Sequence, residues 1–182
     1  MRLLIVFTFL ILTLLACQQK ATPIDQNQTP NVFFDLKGFF EKEKAQLNTR
    51  SSFQKTVEIN GAVEQKQLAQ LNFDNELAVF VASDINRPAW SDKYRVDSIF
   101  GDSQELRQIQ YESLDASLKT KKIVIDFDNN SVAEILIEKG IDNAVAQSKQ
   151  TLLYQVAKGF YIQSEQALTL SETKNISVKV TY

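Results

Sequence analysis

The chain has no histidine and a single cysteine, Cys17, among its 182 residues. The absence of histidine excludes Ser–His–Asp and Cys–His catalysis, because both mechanisms need an imidazole as general base. It also excludes zinc sites built from cysteine and histidine, which leaves only metals that prefer oxygen ligands. One cysteine cannot form an internal disulfide, so stability must come from packing. We therefore predict a non-enzymatic protein without catalytic residues, cofactor or metal site.

An excess of basic charge is also lacking. The chain has 20 Lys and Arg residues against 22 Asp and Glu residues, a formal net charge of −2. Proteins that bind nucleic acids typically carry a basic patch that neutralises phosphates. We therefore expect no nucleic-acid partner.

The apolar run from Leu3 to Leu15 is too short for a membrane-spanning helix, which needs about 20 residues. It follows one basic residue, Arg2, and polar residues begin again at Gln18. A short apolar run between a basic start and a polar continuation is typical of a signal peptide.

The residues Leu14-Leu15-Ala16-Cys17 at the end of this run resemble the lipobox of bacterial lipoproteins. The resemblance implies that residues 1–16 are a signal peptide cleaved after Ala16, and that Cys17 carries lipid. An ordinary secretory signal with an incidental cysteine is the alternative. The small residue before Cys17 and the polar residues after it argue against that alternative.

The residues after Cys17 also bear on location. In the lipoprotein family, an Asp next to the cysteine retains the protein in the inner membrane of enterobacteria, and this chain has Gln18 there. No acidic cluster of the surface-export kind follows. We therefore expect a lipid-anchored protein of the bacterial cell envelope, in the outer membrane and facing the periplasm, whose membrane partner is bound through the lipid on Cys17.

Residues 17–30 are mostly Gln, Thr, Asn and Asp with two prolines and little to bury, so they predict a flexible tether. Removal of the signal peptide would leave 166 residues with a net charge of −3. This length suits one domain with a proper core. We predict a single domain over residues 31–182.

Two amphipathic helices are predicted at the start of the domain. The first spans roughly 31–48, with Asn31 as its cap and apolar residues at near-helical spacing. The second begins among cap candidates at 72–76 and ends before Pro88. Its apolar positions are Phe73, Leu77, Phe80 and Val81.

Residues 53–68 between these helices predict a β-hairpin around Asn60-Gly61. A two-residue loop at Asn60-Gly61 would place Lys55 opposite Lys66, and like charges in that position are unfavourable. We therefore predict a three-residue loop, 59–61, with a left-handed glycine.

From Lys93 onward the apolar residues alternate with period two, as in strands with one buried face. Short turns between successive strands favour an antiparallel meander. We predict an α+β fold in which two N-terminal helices and a hairpin pack on a curved antiparallel sheet of about seven further strands. The predicted strands are roughly 93–100, 104–112, 120–127, 131–139, 148–156, 159–168 and 175–182.

Two segments could carry a site. Residues 126–130, Asp-Phe-Asp-Asn-Asn, place oxygen ligands as a calcium loop does, but Ser131 stands where that loop needs glycine. A hairpin turn explains the same residues. The only tryptophan, Trp90, lies on a connection where it could form a binding surface, or fill the gap between the second helix and the sheet.

Residues 72–182 resemble uncharacterised lipoproteins of Bacteroidota, which implies no activity. The predicted outline is also similar to lipoprotein-carrier folds, in which helices plug an incomplete barrel that holds acyl chains. We expect a lipid-anchored envelope domain that binds a partner protein or an apolar ligand. The alternatives are a carrier with an acyl-binding cavity, a carboxylate-dependent hydrolase, and a scaffold without a small ligand.

Overall fold

The computed structural model describes residues 32–142, 146–168 and 173–182. The predicted signal peptide, Cys17 and the tether lie outside these residues, so the predictions made for them stay predictions. The described part is a nine-stranded antiparallel sheet with a few helices, an α+β fold as predicted.

The sheet is open, with strand order β2-β1-β9-β8-β7-β6-β5-β4-β3. Every neighbouring pair is antiparallel, and β3 to β9 follow one another as a meander. The strands are β1 (Phe53–Ile59), β2 (Ala62–Leu68), β3 (Tyr94–Phe100), β4 (Leu106–Ser113), β5 (Thr120–Asp128), β6 (Ser131–Asp142), β7 (Ala146–Gln155), β8 (Gly159–Leu168) and β9 (Lys174–Thr181).

Strands β3 to β9 occupy the seven segments predicted after Lys93, but the hairpin prediction was wrong in its placement. The hairpin β1–β2 does not pack on a seven-stranded sheet; it extends the sheet, because β1 pairs with β9. A hairpin packed on a sheet would leave two more strand edges unpaired, and pairing with β9 satisfies the backbone groups of β1 instead.

The predicted three-residue loop of the hairpin was also wrong. Ile59 pairs with Ala62, so the loop is Asn60-Gly61, with φ angles of 49° and 87°. Two left-handed residues form the turn whose twist suits a two-residue hairpin. Lys55 does lie opposite Lys66, but each lysine has its own carboxylate: Lys55 contacts Glu76 and Lys66 contacts Glu64.

The helices are shorter than predicted. Helix α1 spans Leu36–Leu47, and its cap is Asp35, which accepts a hydrogen bond from the Gly38 amide at 2.8 Å. The predicted cap Asn31 lies outside the described residues. Within the described part of the chain, no helix has the length and apolar character needed to cross a membrane.

The second predicted helix is two short ones, α2 (Phe73–Glu76) and α3 (Ala78–Val81), followed by a 3-10 turn at Pro88–Trp90. The interruption falls at Leu77, whose ψ of 0° departs from helical geometry. Phe73, Leu77 and Phe80 are nevertheless all buried, so packing against the sheet preserves the predicted apolar pattern.

The core lies between the helices and one side of the sheet, which we call the inner face. Phe40 of α1 and Phe80 of α3 both contact Tyr154 of β7 at ring-centroid distances of 5.1 and 6.0 Å. Near the other end, Phe33 contacts Tyr111 of β4 at 5.5 Å. Edge-to-face rings thus fill the space between helices and sheet. The opposite side of the sheet is the outer face.

Candidate functional site

A row of apolar side chains crosses the outer face of four neighbouring strands. Val124 of β5 lies opposite Leu136 of β6, Leu136 opposite Leu153 of β7, and Leu153 opposite Tyr161 of β8. Val124 is only 8% exposed, and the other three are half-buried. Side chains in directly opposite positions contact one another, so the row forms one continuous apolar surface.

A depression of about 400 Å³ lies at the end of this row. Gly159 contributes to it by having no side chain: a Cβ at this position would lie 2.0 Å from the carbonyl oxygen of Val180. Its φ of 144° is also a conformation that other residues rarely adopt. The close approach of β8 and β9 therefore requires glycine here, and the outer face has a hollow at this position.

The walls of the depression combine apolar and cationic groups. Leu153 and Tyr161 supply the apolar walls, and the exposed amines of Lys158 and Lys179 lie at its rim. Neither lysine takes part in an ion pair within the described residues. Such a combination suits an apolar group that carries, or lies beside, a negative charge.

A smaller, more polar depression of about 130 Å³ also borders Tyr161. Glu58, Asn60 and Gln163 are among the residues that line it. Tyr161 therefore separates an apolar and cationic hollow from a polar one. An aromatic ring with a polar tip between two hollows is the kind of residue that anchors protein interfaces.

Trp90, the residue predicted as a binding surface, lies elsewhere. It is half-buried on the helix side, with its ring 6.4 Å from that of Tyr94 and the guanidinium of Arg87 4.3 Å above it. This is the neighbourhood of β3, whereas the depression lies over β7 to β9. The structure does not bring Trp90 and the depression together, and the role of Trp90 stays a prediction.

Residues 126–130 form the end of β5 and the hairpin turn to β6 that the sequence favoured. Asn129 and Asn130 have φ angles of 48° and 60°, and Asp128 pairs with Ser131 across the turn. The carboxylate of Asp126 accepts a hydrogen bond from the Gln108 amide at 2.7 Å. Among the described residues, no group of three or more His, Cys, Asp or Glu side chains could hold a metal ion.

A buried polar cluster lies on the inner face, away from the depression. The hydroxyl of Tyr154 donates to Oε2 of Glu43 at 2.6 Å, and the hydroxyl of Tyr182 donates to that of Tyr154 at 3.1 Å. Burial raises the pKa of both tyrosines, so both hydroxyls are protonated donors near neutral pH. The guanidinium of Arg50 lies over the ring of Tyr182. The cluster holds α1 on the sheet.

The residues of the depression were not among those predicted from the sequence. One signal was present, because a glycine in a predicted strand often marks a close approach of backbone, and Gly159 is the first residue of the predicted strand 159–168. The row from Val124 to Tyr161 could not be found in this way, since it depends on the register of four strands.

Compared with known protein families, curated proteins and solved structures, the chain matches none.

Proposed function

We propose that this protein is a non-enzymatic, lipid-anchored domain of the bacterial cell envelope that binds a partner protein on its outer face. The observation that carries the proposal is the depression at Gly159, with its apolar walls, its two lysines and its continuity with the row Val124–Tyr161. The partner contributes an apolar side chain next to a carboxylate.

A protein partner fits this site better than a small apolar ligand. The depression is open, and the apolar row extends from it across four strands, so only an extended partner can cover both. Small-molecule sites usually enclose most of their ligand. Burial of the row on binding supplies affinity, and pairing of Lys158 and Lys179 with carboxylates supplies specificity.

A photoreactive benzoylphenylalanine at position 161 tests the partner site. It keeps an aromatic ring between the two depressions, and irradiation of intact cells should join the protein to one discrete partner. The same amino acid at Gln67, an exposed outer-face residue of β2, is the control and should give no such product. Equal products at both positions would contradict the site.

Charge substitutions make the test specific. Lys179→Glu should lower the yield of the position-161 product at least several-fold, because it replaces an attraction for the partner's carboxylate with a repulsion. Lys149→Glu, at an exposed residue of β7 outside the depression, is the matched control and should leave the yield unchanged. A yield that is insensitive to Lys179→Glu would refute the proposed chemistry.

The lipid anchor is tested separately by Cys17→Ser. Two or more acyl chains give stable membrane residence, each buried methylene contributing about 0.8 kcal/mol. We expect the variant to lose its lipid label and to move into the soluble fraction, measured by metabolic labelling and cell fractionation. A variant that stays lipid-labelled and membrane-bound would refute the anchor.

A carrier for acyl chains is the second candidate, and it has one supporting observation. The apolar inner face continues beyond the core at Val57, Ile162 and Val178, which are only half-buried. Against it, aromatic rings fill the space between α1, α3 and the sheet. A native mass spectrum of the protein purified without detergent from its own envelope would favour the carrier if it showed a reproducible added mass in the acyl or phospholipid range.

A further inference from the structure

Strand β3 forms one edge of the sheet, and this edge is apolar and exposed. All of its residues after Tyr94 are exposed, with Val96 at 49%, Ile99 at 56% and Phe100 at 60%. On one side β3 pairs with β4, and its other side is a free edge of the sheet. Such an edge is a template for another strand unless charges, proline or a bulge protect it. A bulge between Ile99 and Phe100 limits regular pairing of β3 to residues 94–99.

The backbone groups of this edge have a definite direction. The carbonyl of Lys93 accepts a hydrogen bond from the Leu114 amide at 2.9 Å, so the polar backbone groups of Lys93 face the β4 side. In an antiparallel ladder, the amide and carbonyl of successive residues point alternately to one side of the strand and to the other. The amides and carbonyls of Tyr94, Val96 and Ser98 therefore point away from β4, towards the free edge.

We propose that this edge pairs with the β3 of a second copy of the chain, antiparallel and centred on Val96. In that register Val96 lies opposite Val96 of the second copy, and the two exchange both backbone hydrogen bonds. Tyr94 lies opposite Ser98 of the second copy, so each outward-pointing residue meets another. The two sheets become one, with both inner faces on the same side.

Charge complementarity selects this register. Centring on Val96 places Arg95 of each copy opposite Asp97 of the other, so two ion pairs form across the dyad. Centring on Asp97 would place two Asp97 carboxylates opposite each other, which is unfavourable. Within one copy Arg95 already contacts Asp97, Nε to Oδ2 at 3.1 Å, and both side chains are 56% exposed and within reach of a partner.

The other free edge, β2, has a similar charge pattern but little to bury. If two β2 strands paired around Gln65, Glu64 of each copy would lie opposite Lys66 of the other. Exposed ion pairs contribute little by themselves. Val63 is the one large apolar side chain of β2 that is strongly exposed, and in a β2 pair it would lie opposite Gln67, whereas the Val96 side chains of two paired β3 strands lie opposite each other, with Ile99 at the end of the paired segment. Burial of apolar surface therefore favours pairing through β3.

The place where the chain enters the domain also supports pairing through β3, and this support rests on the proposed lipid anchor. Phe33 packs on Tyr94, the first residue of β3, with ring centroids 5.8 Å apart. The chain thus enters the domain at the edge that pairs. Two copies confined to one membrane have a high effective concentration, so a modest interface is sufficient for pairing.

Cysteine cross-linking of the full chain tests the register. In a Cys17→Ser background each variant has one cysteine, and oxidation with copper phenanthroline is read on non-reducing gels. Val96→Cys should form a dimer in high yield, because opposite residues of a hydrogen-bonded pair have Cα atoms about 5.5 Å apart, within the range of a disulfide. Ser98→Cys should not, since the two Ser98 positions would be separated by about 14 Å.

Gln65→Cys, at the centre of the β2 edge, is the matched control and should give less than about a tenth of the Val96→Cys yield, a difference of about 1.4 kcal/mol in association. Adding Asp97→Arg to Val96→Cys should abolish the dimer, because Arg95 then meets an arginine. Equal yields at positions 96 and 65, equal yields at 96 and 98, or a yield insensitive to Asp97→Arg would each overturn the proposal. All of these yields are compared in the same unlipidated protein, at a concentration high enough to replace confinement to one membrane, so none of the comparisons depends on the lipid or on the outer-face partner.

Discussion

The hydroxyl of Tyr154 in the middle of the sheet donates a 2.6 Å hydrogen bond to Oε2 of Glu43 on helix α1, 111 positions earlier in the chain. Both residues are buried. A carboxylate withdrawn from water is costly unless it is hydrogen-bonded, and Tyr154 supplies that bond. The pair therefore specifies how α1 packs on the sheet, in a core that is made mostly of aromatic and aliphatic side chains.

Tyr154→Phe should lower the free energy of unfolding by about 1.5–3 kcal/mol, the usual contribution of a hydrogen bond to a charged group. The change keeps the ring packing and removes the donor to Glu43 together with the acceptor of the Tyr182 hydroxyl. Urea denaturation followed by circular dichroism measures it. Tyr161→Phe on the outer face is the control and should change the stability by less than about 0.5 kcal/mol. If both variants were equally stable, the buried bond would contribute nothing.

Stability should fall as the pH rises above about 10. Burial raises the pKa of Tyr94 to about 12 and also raises the pKa values of Tyr111, Tyr154 and Tyr182. The unfolded chain then loses tyrosine protons at a lower pH than the folded chain, so alkali favours unfolding. The stabilisation is complete below the unfolded pKa and decreases as pH rises through the folded values. Urea midpoints across the alkaline range measure it, and a flat profile would contradict it.

Gly159→Ala should be strongly destabilising, by about 3 kcal/mol or more, because the new Cβ would lie 2.0 Å from the backbone oxygen of Val180. Strands β8 and β9 would have to separate at this point. Gly140→Ala in β6 is the matched control, since its Cβ would approach a backbone oxygen no closer than 3.4 Å. We expect that variant to change the stability by less than about 1 kcal/mol in urea denaturation. Similar losses at both positions would contradict the close approach at Gly159.

Removing glycine from the β1–β2 turn and introducing glycine into the β5–β6 turn should change the stability in opposite directions. Gly61→Ala should lower the stability by about 1–2 kcal/mol, since Gly61 has a φ of 87° and other residues are strained in the left-handed region. Asn130→Gly, in the turn between β5 and β6 with a φ of 60°, should be neutral or raise the stability by up to about 1 kcal/mol. Thermal unfolding measures both. A three-residue loop with a right-handed residue 61 would show no loss for Gly61→Ala.

Periodicity was sufficient to locate the strands from Tyr94 onward, because most of them have one side that is more buried than the other and alternation is a local property. It failed where the outcome depended on distant partners. The hairpin loop was predicted from the repulsion between Lys55 and Lys66, and a carboxylate on α2, Glu76, removes that objection. The position of Glu76 beside Lys55 could not be read from the hairpin itself.

The candidate site shows the same division. Gly159 could be recognised in the sequence as a glycine at the start of a predicted strand, but the side chains around its hollow could not be identified. Leu153, Tyr161 and Lys179 meet there only because β7, β8 and β9 pair in one register.

The amino-acid sequence by itself determined which chemistry is excluded, through the absence of histidine, and where the chain alternates between buried and exposed residues, because both are properties of composition and local order. Only the tertiary structure decided that the hairpin joins the sheet through β9, that Glu43 reaches Tyr154, and that an apolar row ends in a hollow rimmed by lysines. These outcomes depend on pairing between residues far apart in the chain. Backbone hydrogen bonding and side-chain packing decide such pairing together, and local conformational preference does not determine it.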